Sequence, residues 1–284
     1  MIISITKATG HGVRRVCEVL RVPRSSYYHA AEPTQSHLDD AQMSGTIRSI
    51  FHKHRRRYGY RRIWEQLKKQ GDVCAPCRVR RLMQQHGLVA IQPKSFTPKT
   101  SDGRADAPSP NLILEKPLPT KPNKVWAGDI TYVPMGDSWI YLAVVIDLSS
   151  RRIVGWALAD HMRSSLVEDA LKQALSSRRG THNLIFHSDR GSQYGSKEFR
   201  ALLSKAGIRQ SMSARANPYH NAWTESFMGT LKAELMQDGC FSSIPDAETE
   251  LFAYIDTYYN TQRLHSSLNY RTPSQFEAET ALTN

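Results

Sequence analysis

The 284 residues are 40% hydrophobic, enough for one large domain or two modest ones, and carry a formal net charge of +12. No stretch approaches the roughly 18 uninterrupted apolar residues of a membrane span. The opening residues Met1 to Lys7 lack a signal peptide's apolar core and cleavage site, and four cysteines at 17, 74, 77 and 240 are too few and too scattered for a secreted disulfide framework, so the expectation is a soluble, cytoplasmic protein.

The charge lies on one side of the chain. Residues 1–100 hold 19 Lys and Arg against 6 Asp and Glu, whereas residues 101–284 hold 19 against 20. A cationic third beside a neutral remainder points to a polyanion-binding module joined to a unit with another task.

In chain order, Val13, Val16, Cys17 and Leu20 fall at helical spacing, and Pro23 to Ser26 open a second short helix, a pairing that resembles a helix-turn-helix. Helices are predicted over Met43–His54, Tyr60–Lys69 and Cys77–His86, with Gly71 and Gly87 as stops. Thin apolar stripes leave Arg55, Arg56, Arg57, Arg61, Arg62, Arg78, Arg80 and Arg81 as candidate DNA contacts. Tyr58, Tyr60 and Trp64 read as core. Cys74 and Cys77 make half of a zinc-binding pattern without a second pair, and are read as small residues in a loop before a helix. The expected division is a basic helical DNA-binding region over 1–91, a Pro-rich extended linker over 92–123 and a catalytic domain over 124–284.

After the linker the period changes. Strands are predicted over Lys124–Val133, Trp139–Ile146 and Ile153–Leu158, a helix over Arg163–Ser177, a strand over Leu184–His187 and a helix over Lys197–Ala206. A strand over Ile208–Met212 and helices over Asn221–Gln237 and Pro245–Tyr259 complete the set. This is the ribonuclease H-like order, an α/β fold with a mixed five-stranded sheet flanked by helices.

Three acids stand out against that frame. Asp129 interrupts a strand, where aspartate is a poor fit. Asp189 lies just past a strand's carboxyl end, a common functional position. Glu225 sits on a helix that can cross both strands. Clustered carboxylates repel one another unless a cation lies between them, and an oxygen-only set suits Mg2+ or Mn2+. Asp147, a fourth acid, is read as capping its turn with Ser149 and Ser150.

Glu225 follows Asp189 with 35 residues between them. This spacing, with the local words Trp126-x-x-Asp129-Ile130-Thr131-Tyr132, His187-Ser188-Asp189-x-Gly191-x-Gln193-Tyr194 and Asn221-Ala222-x-x-Glu225-Ser226-Phe227, resembles the signature of retroviral integrases. It also resembles that of bacterial transposases of the insertion-sequence-three family, downstream-frame type. The block Tyr58 to Ile63 and the tail Tyr259 to Leu268 with Thr272-Pro273 resemble the same family. His220 departs from it, since many relatives carry aspartate there.

The resemblance implies that Asp129, Asp189 and Glu225 bind two Mg2+ ions, with Mn2+ as a substitute, for DNA cleavage and 3'-hydroxyl strand transfer at element ends. It implies that Lys232, two helical turns after Glu225, grips phosphate, and that His187, Gln193 and Asn221 support the acids. Its implied partners are terminal inverted repeats, target DNA, further copies of the chain and an upstream-frame product fused by frameshifting, in a bacterial cytoplasm at the nucleoid. The alternatives are a ribonuclease H-like nuclease that cuts without joining and a non-enzymatic DNA-binding regulator.

Overall fold

The computed structural model describes residues 2–28, 35–92, 108–114, 117, 119–213, 222–236 and 241–282. They fall into two compact units, Met1–Ala90 and Ile91–Asn284.

The first unit is all helical: α1 (Ile2–Thr9), α2 (Val13–Val19), α3 (Ser25–Tyr28), α4 (Gln35–Lys53), α5 (Tyr60–Lys69) and α6 (Pro76–Gln85). Helices α4, α5 and α6 pack on one another and bury Ile47, Ile50, Phe51, Tyr58, Ile63, Leu67, Val79, Leu82 and Met83. Tyr58 is core, as the sequence suggests, and stacks on His54 with ring centroids 3.8 Å apart. Trp64 is half-buried and spends its indole N–H on the Cys74 carbonyl at 2.8 Å. Helix α4 starts eight residues before the predicted Met43, because Gln35–Gln42 is largely exposed and leaves no apolar period to read. Helix α1 went unread for the same reason; its described side chains are mostly exposed.

The second unit is the ribonuclease H-like fold. Its sheet comprises β1 (Val125–Met135), β2 (Ser138–Asp147), β3 (Ile153–Ala159), β4 (Ile185–Ser188) and β5 (Arg209–Met212), in the order β3-β2-β1-β4-β5. The first three strands form an antiparallel meander, and β4 and β5 run parallel to β1. Helices α7 (Ser164–Ser177) and α9 (Lys197–Lys205) cover one face. Leu166, Val167, Ala170, Leu171, Ala174, Phe199 and Leu203 meet Trp126, Ile130, Val145, Val154 and Phe186 there. A four-residue helix, α8 (Ser192–Gly195), was too short to predict.

On α7's side Gly155 is a forced choice. A Cβ there would lie 2.2 Å from the Ala170 carbonyl oxygen and 2.7 Å from the Ala174 nitrogen, both backbone atoms of α7. Gly155→Ala therefore pushes the helix off the sheet, and it is expected to lower stability by about 1–3 kcal/mol or more. A denaturant midpoint unchanged from wild type would show that α7 yields without cost.

Helix α10 (Ala222–Leu235) packs on β1, and α11 (Ile244–Phe252) packs on β3. The predicted helix over Pro245–Tyr259 is in fact α11 followed by a π-helical stretch, Ala253–Tyr259. The wider turn keeps Tyr254, Ile255, Tyr258 and Tyr259 all buried. Its last aromatic, Tyr259, meets Phe227 of α10 edge-on, at 4.8 Å between centroids. Asn260 then donates to the Ile153 carbonyl and accepts from the Ile153 N–H, both at 3.0 Å, which ties the tail to β3. Helix α12 (Pro273–Leu282) closes the chain.

Candidate active site

Asp129 sits mid-way along β1 and Asp189 one residue beyond β4. The parallel register pairs Ala127 with His187, so two further residues along both strands bring Asp129 and Asp189 to one level. Trp126 and Ile130 point to the α7 side, and the alternating pleat turns Asp129 the other way, toward α10. Thr224, buried on α10, hydrogen-bonds the Asp129 carboxylate, and Glu225 is the next residue in that helix's first turn. A carboxylate in a first turn is favoured by the helix dipole.

Gly128 makes the strand pass closely over its neighbours. A Cβ at this position would lie 2.5 Å from the Phe186 ring and 3.2 Å from the Tyr194 ring. Those rings therefore reach up to the strand beside Asp129. Burial, and then the charges of Asp129 and Asp189, push the Tyr194 hydroxyl's pKa well up.

The electrostatics are those of excess negative charge. By surface area Asp129 is half-buried, but protein atoms crowd its carboxyl on nearly all sides. That burial, reinforced by Asp189 and Glu225, pushes its pKa up to about 8, against hydrogen bonds from the Ile130 N–H at 2.9 Å and from Thr224. Asp189 is half-buried and accepts from the Gly191 N–H at 3.0 Å; Glu225 is exposed. Asp129 thus lies within reach of the charges of both other acids. Among the described residues, however, no three His, Cys, Asp or Glu side chains are drawn together closely enough to hold one ion. The donors are all oxygen and like charges act on the buried Asp129 carboxyl, so a hard divalent cation fits this site.

Without metal, Asp129 keeps its proton to about 8 in the folded chain, whereas in the unfolded chain it ionises near 4. The unfolded state therefore releases the proton first, and ionisation favours unfolding across that window. In chelator, Tm is expected to fall as pH rises from about 4 toward about 8, and Asp129→Asn should flatten the fall. Parallel Tm–pH curves for the two proteins would exclude Asp129 as the titrating group.

The remaining candidates are scattered. Lys232, half-buried on α10, has its pKa lowered by burial while the charge of Asp129 acts in the opposite direction, which places it beside the acids. His187 is fully buried and shares a 2.9 Å hydrogen bond with Ser211. Ser211 in turn accepts from the Leu112 N–H at 2.9 Å. Part of the expected linker thereby lies along β5, where Ser109 also donates to Gln210 at 2.8 Å. Gln193 reaches the Met162 carbonyl rather than an acid. Asn221 and His220 fall outside the described residues, as does most of the 92–123 stretch.

Asp147 is fully buried. One of its carboxylate oxygens accepts from the Ser149 and Ser150 N–H groups, and the other from the Asn123 N–H and the Trp126 indole. It caps the turn and takes no part among the three acids. Thr224, Tyr194 and Ser211 went unmarked in the sequence; Thr224 and Tyr194 sit inside the quoted words, but their polar contacts come only from tertiary approach.

In the helical unit the arginines divide. Arg55, Arg56, Arg61 and Arg80 are exposed. Arg61 and Arg80 flank the Tyr60 ring, at 5.7 and 5.9 Å from its centroid, and Arg62 lies over Tyr58 at 5.7 Å. Arg57, by contrast, is buried, and Arg78 and Arg81 both bind Asp40 at 2.7 Å. These two guanidiniums hold the Asp40 carboxyl below its ordinary pKa range.

Residues 119–218 and 206–273 match families described as an integrase core domain, and residues 37–96 match one described as an HTH-like domain. The transposase for insertion sequence element IS904 of Lactococcus lactis is 41% identical over 245 residues, covering 86% of this chain and 97% of that protein. Transposase InsF for insertion sequence IS3A of Escherichia coli K12 is 35% identical, with 93% of each chain covered. The catalytic core domain of HTLV-2 integrase, solved in complex with magnesium, is 20% identical with a TM-score of 0.42. That alignment covers 55% of this chain and 97% of that one.

Proposed function

The chain belongs to the insertion-sequence-three family of transposases, and from that premise we propose that it cuts and joins DNA at insertion-element ends, with Asp129, Asp189 and Glu225 as the catalytic carboxylates. The observation that supports this reading best is the convergence of the acids: the β1–β4 register brings Asp129 and Asp189 to one level, and burial first, then the charges of Asp189 and Glu225, lift the Asp129 pKa well above the ordinary carboxylate range.

These three side chains would hold two divalent ions, Mg2+ or, as a substitute, Mn2+. When bound, such ions activate an attacking hydroxyl and stabilise the departing oxygen. In the first reaction, water opens a phosphodiester at the element end and leaves a 3'-hydroxyl. In the second, that hydroxyl attacks a target phosphodiester and expels a new 3'-oxygen. No protein nucleophile is consumed.

The chain's own residues orient and support. Thr224 and the Ile130 N–H hold the Asp129 carboxylate in place, and the Gly191 N–H fixes Asp189. The Tyr194 and Phe186 rings pack under β1 at Gly128, on the face of the sheet opposite the Asp129 side chain, and back the strand that carries it. Lys232 supplies a cation for the substrate's phosphate. The exposed arginines of 1–91, a DNA-binding region joined through 92–123 to the catalytic domain of 124–284, would read the terminal repeats. The enzyme would act as an oligomer, because two ends must be bridged; fusion to an upstream-frame product would supply further contacts.

Two substrates test the reading: an intact element end, and a pre-cleaved end with a free 3'-hydroxyl offered with target duplex. A transposase cleaves the first and joins the second when Mg2+ is present. Cleavage without joining would establish a nuclease, and binding without either reaction a regulator.

A further inference from the structure

We propose that the end of the sheet opposite the three acids is a second DNA-binding surface, on which Lys124, Arg151 and Arg179 grip backbone phosphates. The proposal rests on the transposase reading and adds to the catalytic unit a phosphate-binding face remote from the acids.

The surface is assembled from three separate parts of the chain. The Leu148 N–H donates to the Val125 carbonyl, and the Ile185 N–H to that of Lys124, so Lys124 opens β1 beside the turn that joins β2 to β3. That turn carries Arg151 and Arg152, pinned by hydrogen bonds from the Arg151 N–H to Asp147 and from the Asp147 N–H to Arg152. Arg178 and Arg179 follow directly on the end of α7. Asn123 ties them in, its backbone N–H donating to the Asp147 carboxylate at 2.7 Å and its side chain to the Arg179 carbonyl at 3.4 Å.

Five cations thus meet two carboxylates, which offset the positive charge only in part, Asp147 acting on Arg151 from the interior. Asp147 is fully buried and turned inward onto four donors. Glu277 takes the Arg152 and Arg178 guanidiniums together, at 3.0 and 2.7 Å, and a third bond from Ser150. One carboxylate between two arginines leaves net positive charge and fixes both forks. Lys124 and Arg179 are exposed. Arg151 is half-buried, with a left-handed backbone at φ 61. Among the described residues, nothing accepts a hydrogen bond from its guanidinium. Holding a cation partly out of water in that conformation is costly, and a phosphate oxygen would offset the cost.

The charge is concentrated against the trend of its own unit. Residues 101–284 total −1, so a local balance of +3 leaves −4 elsewhere in that stretch. The sheet is polarised, with acids at the middle of β1 and just past the end of β4 and bases where β1 begins. At about 3.3 Å per residue, Lys124 lies about 16 Å from Asp129 along the strand. One phosphate cannot touch both ends, but one duplex presents a charge every ~1.7 Å of its axis and spans that distance easily. A duplex engaged at the acids can therefore continue onto this face, or a second duplex can occupy it.

The test uses the full-length triple variant Lys124→Glu/Arg151→Gln/Arg179→Glu, which leaves Arg152, Arg178 and Glu277 intact. A Tm within a few degrees of wild type shows that the fold survives; where the triple variant does not fold, Lys124→Gln/Arg179→Gln replaces it. Duplex affinity is measured over a salt series, beside cleavage of a long flanked element end and joining of a short pre-cleaved end to target. We expect a salt slope shallower by about 2–3 for the triple variant, and by about 2 for the double, since each lost phosphate contact removes about 0.9. A tenfold or greater loss in one reaction at moderate salt is expected too, relieved at low salt. Loss confined to joining assigns the surface to target DNA, and loss confined to flanked-end cleavage assigns it to donor flanks. An unchanged slope with both reactions intact overturns the proposal. If wild type itself yields no joined product, the transposase reading fails instead.

Discussion

Asp129→Asn is expected to lower Mg2+-dependent cleavage and joining by on the order of 10^3-fold or more, since the lost charge stabilisation is worth several kcal/mol, while DNA binding persists. Asparagine keeps the size of the side chain and an oxygen for the Ile130 and Thr224 hydrogen bonds. It removes the one negative charge that burial, Asp189 and Glu225 most oppose. The metal-free variant should therefore be at least as stable as wild type at pH 7. That pairing of outcomes separates a catalytic role from a structural one, because a structural loss of activity would come with a lower Tm. Asp189→Asn and Glu225→Gln should lose activity in the same way, and full activity in any one of them removes that residue from the set.

The second unit's strands were legible as short, nearly continuous buried runs, as in β2 and β4, and its helices by one-sided burial. The pleat of β1 puts Trp126 and Ile130 inward in alternation, and α7 buries Leu166, Val167, Ala170, Leu171 and Ala174 along a single stripe. Where burial gives no period the reading stopped, as in the first half of α4. The π-helical stretch was illegible for another reason. One extra residue per turn leaves composition unchanged, and only packing of Tyr254, Tyr258 and Tyr259 against the rest of the unit selects it.

The acids stood out to different degrees. A charge in mid-strand is conspicuous, so Asp129 drew notice by itself. Glu225 is an exposed glutamate on a helix, and its assignment leans on its distance from Asp189, the words around it and Lys232 two turns away. The basic helices show the converse limit, since sequence reveals a charge but not its partner. Asp40, 38 and 41 positions upstream, occupies Arg78 and Arg81, and burial withdraws Arg57 from the surface. The surface around Arg151 was invisible for that same reason. Its five cations come from three segments with no local run longer than two, in a stretch whose net charge is close to zero.

Glu234→Ala should be among the most destabilising single changes in the catalytic unit. Glu234, near the end of α10, meets Arg263 through hydrogen bonds of 2.8 to 3.1 Å, and both side chains are 7% exposed. Tyr254 donates to the same carboxylate at 2.8 Å, and Arg263 lies over the Tyr259 ring at 5.7 Å. Burial works against the Arg263 cation, yet Glu234 outweighs it and holds that pKa above its usual value. Removing the carboxylate strands a buried guanidinium, at a cost of about 3–5 kcal/mol. Replacing both residues by leucine removes the pair without leaving a charge behind, so the double variant should be more stable than either Glu234→Ala or Arg263→Ala. Denaturant unfolding of the three proteins decides the point. A Glu234→Ala cost below about 1 kcal/mol would class the pair with exposed ones. Because α10 also carries Glu225 and Lys232, the same variants assayed well below their Tm show whether this anchor sets the position of those side chains or only the stability of the helix that bears them.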